Sequence, residues 1–68
     1  MDGIEQFLRI LDDGRWYELD DVASRIGWTF ARTKRLAGSL SEHGLVHFRS
    51  RDDSVKMDPE LLDLMRET

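Results

Sequence analysis

The sequence predicts a small α+β fold, ordered helix, short strand, helix, helix, β-hairpin, helix. Three observations carry this. Apolar residues recur at three- and four-residue spacing through most of residues 3–43, the period of a helix with one buried face. After Gly44-Leu45 the period drops to two, with Val46 and Phe48 alternating against His47 and Arg49, as a half-buried strand requires. Two stretches, Ile26-Gly27-Trp28-Thr29 and Asp58-Pro59-Glu60, carry stop and start signals for helices.

The first helix is expected over residues 3–13. Asp2 can cap it, with Glu5 completing a capping-box-like pair. Ile4, Phe7, Leu8 and Leu11 form its inner face, and Asp13-Gly14 ends it. Arg15-Trp16-Tyr17-Glu18-Leu19 is short and aromatic between turn signals and reads as a brief strand. Asp20 is expected to cap the second helix, with Asp21 facing its dipole. Val22, Ala23 and Ile26 point inward and Gly27 stops the helix. Trp28 is expected to plug the core beneath the turn.

Thr29 is the next N-cap. The third helix spans Phe30 to His43 and ends at Gly44. Its inner face is Thr33, Leu36, Ala37 and Leu40, which leaves Ala31, Arg35, Gly38 and Glu42 opposite and Arg32, Lys34 and Ser39 on the shoulders. The hairpin covers residues 45–57. Pairing Phe48 with Val55 and Val46 with Met57 puts all four on one face and centres the turn on Arg51-Asp52. Asp58, Pro59 and Glu60 then start a terminal helix carrying Leu61, Leu62, Leu64 and Met65.

Composition narrows the function. Sixty-eight residues make one domain, 1–68. A chain this short buries only about 60% of its unfolded surface, so its core is thin. A large ligand cleft needs more scaffold, and the expectation is that the protein is not an enzyme. The absence of cysteine excludes a disulfide framework and a thiolate zinc site. Asp2 and Glu5 stand where a signal peptide would be basic. No apolar run approaches the ~20 residues of a membrane span. The expected setting is cytoplasmic, without a membrane partner.

The net charge is −4, but its distribution is uneven. Residues 1–24 carry a net −5, residues 25–56 a net +4 and residues 57–68 a net −3. A basic centre between acidic ends points to an anionic partner for the centre; ordinary solvated surface is the plainer account.

This order resembles the winged helix-turn-helix superfamily over essentially the whole chain. The residues that carry the resemblance are Leu19-Asp20-Asp21-Val22-Ala23 at the second helix and Ile26-Gly27-Trp28-Thr29 at the turn. Leu36, Leu40 and Gly44-Leu45-Val46 follow at the end of the third helix. The Val55-to-Leu61 run, after the Asp13-Gly14-Arg15-Trp16 start, is similar to short archaeal winged-helix proteins. The resemblance implies a three-helix core, a short strand after the first helix, a C-terminal hairpin wing and a short terminal helix. It implies sequence-dependent binding of double-stranded DNA by a small transcription regulator. Helix 30–43 would enter the major groove and hairpin 45–57 would act as the wing.

The candidate DNA-binding residues follow. Arg32, Lys34 and Arg35 suit base edges or phosphate, with Ala31 and Ser39 beside them and Thr29 at a helix N-terminus that can hold a phosphate. Arg49, Arg51 and Lys56 suit phosphate or minor-groove contact from the wing, and Asp52 and Asp53 are expected to oppose it. For each set the alternative is a solvated surface. Trp16 and Trp28 can stack on single strands or serve the core, and burial is the stronger reading for Trp28. His43 and His47 flank a helix break and lack a third ligand, so no metal is expected. Asp12, Asp13, Asp20 and Asp21 fit helix ends. No phosphate loop or nucleophile arrangement is present, and no cofactor is implied. Leu61, Leu62, Leu64 and Met65 either close the core or form a homodimer surface. The rival function is a protein–protein module serving as adaptor in a transcription, replication or other assembly.

Overall fold

The computed structural model describes residues 3–67. Among them are four helices and a three-stranded antiparallel sheet. Helix α1 spans Gly3–Ile10 and buries Phe7 fully, with Leu11 buried just beyond its end. It is shorter than the expected 3–13, because the chain tightens into turns: Asp12 N–H donates to the Arg9 carbonyl at 3.3 Å and Gly14 N–H to the Leu11 carbonyl at 3.1 Å. Gly14 takes the left-handed conformation (φ 77°). The Asp13 carboxylate then accepts from Arg15 N–H at 3.0 Å and from the Tyr17 hydroxyl at 2.5 Å. These bonds hold Asp13 below the usual carboxylate range, the Tyr17 bond contributing most. Asp2, the expected cap of α1, lies outside the described residues.

Strand β1 is only Tyr17–Glu18, against the expected five residues from Arg15 to Leu19. Leu19 N–H donates to the Asp53 carbonyl at 2.9 Å, and the chain turns at once into helix α2, Leu19–Ile26. The cap position therefore falls on Glu18, which makes no side-chain cap bond. Asp20 does not cap; with Asp21 it lies inside the first turn, where both face the positive end of the dipole. Gly27 closes α2 in the left-handed conformation (φ 75°).

Helix α3 spans Phe30–Glu42, one residue short of the expected end, with His43 as its C-cap and Gly44 left-handed behind it. Thr29 caps it, accepting from Arg32 N–H at 3.2 Å. Thr33 is fully buried because its hydroxyl donates to the Thr29 carbonyl at 2.9 Å, so no polar atom is left without a partner. Ala37 is buried too, while Leu36 and Leu40 are half-buried at the edges of this face.

Strands β2, Val46–Arg49, and β3, Ser54–Met57, pair in the expected register, Phe48 opposite Val55 and Val46 opposite Met57. Strand β1 adds to the other side of β3, Tyr17 opposite Val55, giving the order β1-β3-β2. Helix α4, Pro59–Arg66, is capped by Asp58, whose carboxylate accepts from Glu60 and Leu61 N–H at 3.1 Å each. The core lies between the helices and the inner face of the sheet. It gathers Phe7, Leu11, Leu19, Val22, Ala37, Val46, Val55, Met57 and Leu62.

Trp28 is not in this core. It is half-buried, with its ring against the Cα of Gly3, where a Cβ would collide with it, and with the Arg32 guanidinium 4.1 Å from its centroid. The turn aims the indole toward the start of α1 instead of beneath α2 and α3.

Candidate nucleic-acid interface

Helix α3 packs against α2 and β2 through Thr33 and Ala37, so its opposite side is free. Ala31, Arg32, Lys34, Arg35 and Ser39 are all exposed there, as is Thr29 at the N-terminus. No acid lies in the first turn of α3. Ala31 projects only a methyl group, which lets another surface approach the helix closely. Arg35 has no carboxylate within ion-pair distance among the described residues. Nor does Arg32, whose guanidinium is instead laid on the Trp28 ring. That contact orders a long side chain in advance.

The hairpin approaches this face. Lys34 Nζ lies 3.4 Å from Asp53 Oδ1, which ties α3 to the loop between β2 and β3. Asp53 sits in a left-handed conformation (φ 51°). Its neighbour Asp52 accepts two bonds from Arg49, at 3.0 Å to Nε and 2.8 Å to Nη2. The Arg49 bonds are the main reason the Asp52 carboxyl is held below its ordinary value. Asp52 and Asp53, expected to oppose phosphate contact, are thus both paired in the structure. Each carboxylate is engaged by a cation that sequence reasoning had assigned to DNA. Arg51, at the loop, is exposed with no such partner among the described residues.

Apart from Arg51 in the loop, the sequence-predicted residues thus divide into two groups. Thr29, Ala31, Arg32, Lys34, Arg35 and Ser39 share the outer face of α3. Arg49 and Lys56 lie on the outer face of the sheet, the Arg49 guanidinium 4.2 Å and the Lys56 ammonium 5.0 Å from the Trp16 ring centroid. One aromatic position, Phe30, escaped the sequence reading, and another, Trp16, was left open there between stacking and the core. Phe30 is 37% exposed beside Glu18, Asp20, Asp52 and Asp53. Trp16 is 38% exposed, with no place in the core. Continuing the two-residue period back from Tyr17 would have put Trp16 opposite Lys56.

The histidines are separately engaged, His43 Nδ1 with the Ser39 carbonyl at 3.2 Å and His47 Nε2 with Asp58 Oδ1 at 2.8 Å. The described residues contain no group of three side chains suited to a metal. No described helix is long and apolar enough to cross a membrane. No protein-family model matches the chain, and no curated protein matches it significantly.

Proposed function

We propose that the chain is a winged helix-turn-helix domain that binds double-stranded DNA and acts as a small transcription regulator. In this reading α2, the Gly27–Thr29 turn and α3 form the helix-turn-helix. Helix α3 enters the major groove, and the β2–β3 hairpin lies along the backbone as the wing. The carrying observation is the pair of arginines on the outer face of α3, Arg32 and Arg35, neither held by a carboxylate among the described residues. A guanidinium free to present its fork suits guanine edges and phosphates. The Lys34–Asp53 contact supports the reading by setting the hairpin loop beside the same helix.

Duplex affinity measured against salt tests this. Arg35→Ala should weaken binding and relax base preference, by about 1–3 kcal/mol for a bidentate base contact. Arg51→Ala should weaken all sequences alike and lower the salt slope by about one phosphate contact. Arg51 is a cleaner probe than Arg49, whose removal would also free the Asp52 charge. If wild type binds no duplex tighter than millimolar at low salt, the DNA reading fails. The adaptor reading would then take its place, supported by the exposed Leu64 and Met65 on α4 (61% and 46%).

A further inference from the structure

Trp16 stands apart from the aromatic side chains of the sheet strands, Tyr17 and Phe48. Those two pack against the core, whereas Trp16 does not. An indole kept out of the core, just before β1 at a position where a polar residue would serve, points to a contact made with another molecule. It borders a shallow groove of about 410 Å³ shared with His47, Phe48, Arg49, Lys56 and Pro59. The register explains why Trp16, His47, Arg49 and Lys56 meet: Tyr17 pairs with Val55 and His47 with Lys56, so side chains one step from the buried row emerge together on the outer face, with Phe48 and Pro59 at its margin.

We infer that this outer sheet face binds single-stranded nucleic acid, one base stacking on Trp16 with the adjoining phosphates met by Lys56 and Arg49. Arg49 and Lys56 lie over the ring. A flat, sequence-tolerant π-surface whose covering cations can move to the phosphates as a base takes their place is what unpaired bases on a phosphate backbone require. Lys56 has no carboxylate within ion-pair distance among the described residues. Arg49 uses Nε and Nη2 on Asp52, which leaves further N–H donors of its fork for a phosphate. An acidic peptide would also be drawn to the cations. It gains little from a shallow groove with one ring, because side-chain anchors need depth, whereas a base offers a face as flat as the indole. The site is separate from α3 and does not rest on the duplex reading.

The test uses the full chain and short labelled oligothymidylate and oligouridylate, with affinity read from anisotropy at low salt. Stacking is read in Trp28→Phe, where Trp16 becomes the one remaining tryptophan of the two in the chain. Saturable quenching of Trp16 by either oligonucleotide is expected, and the tighter of the two identifies DNA or RNA as the source. Trp16→Ala should weaken binding about tenfold or more, Trp16→Phe much less, and Arg35→Ala not at all. Should Trp16→Ala lose its fold by circular dichroism, Lys56→Gln keeps the ring and should still lower affinity and the salt slope. Absence of quenching overturns the inference. So does equal binding of an oligoglutamate of matched charge, which would make the partner an acidic peptide. Loss of single-strand binding in Arg35→Ala equal to that in Trp16→Ala would place the strand on α3 and also overturn it.

Discussion

The indole of Trp28 rests on the Gly3 backbone on one side and carries the Arg32 guanidinium on the other. Its truncation removes part of a burial, not a core. Trp28→Ala should therefore cost about 2 kcal/mol, below the roughly 3–5 kcal/mol of a fully buried ring. Urea denaturation should show a lowered midpoint with an unchanged slope; a loss at the full-burial level would contradict this placement. The sequence located Trp28 in the turn but could not say which way the ring faces, since that depends on where α1 begins in space. The carboxylates of Asp52 and Asp53 were legible as charges and illegible as partners. The bond from Asp53 to Lys34 joins residues far apart in the chain, and no spacing rule reaches that distance.

Among the elements, α4 has the most explicit start. Asp58 caps two backbone N–H groups and also meets His47. The His47 bond, followed by the backbone bonds, holds its carboxyl below the ordinary value of 3.8. A carboxyl with a depressed folded pKa contributes stability above its unfolded value, lost as pH falls from near 3.8 through the lower folded value. Thermal denaturation across that acid range should show Asp58→Asn flattening this part of the pH dependence while keeping a cap. Asp58→Ala should lose stability at neutral pH as well. An acid limb identical in Asp58→Asn and wild type would show that the charge at this cap does not matter. Both this cap and the one at Thr29 could be read directly, because a capping side chain acts within three residues. The hairpin register was legible for a similar reason, since a slip of one residue would turn Val46, Phe48, Val55 and Met57 to solvent. The ends of α1 and β1 were not, because turn bonds at Asp13 and Gly14 and a distant bond to Asp53 decide them.

For the molecule as a whole, the division of charge and the surface of α4 bear on association. Leu62 closes the core, one of the two roles the sequence offered for this helix, whereas Leu64 and Met65 remain 61% and 46% exposed. We propose that a second copy meets this surface. Two such short helices bury an area at the low end for specific interfaces, so the dimer should be weak. It would be reinforced by a duplex with two half-sites about one helical turn apart. Sedimentation should show association that rises with concentration and disappears in Leu64→Arg, with the melting temperature little changed. A monomer at every concentration, with and without duplex, would remove the dimer from the account. The sheet has a consequence of another kind. Strand β1 finds its only partner among the described residues in β3, Glu18 opposite Ser54, and the Gly14 turn lies so close to Leu62 that a Cβ there would come within 2.8 Å. The segments on either side of α2 and α3 are thus each other's scaffolding. During synthesis β1 emerges well before the strand it pairs with and stays unpaired until β3 has followed. That pairing closes a long loop and is slower than the local helix steps that precede it.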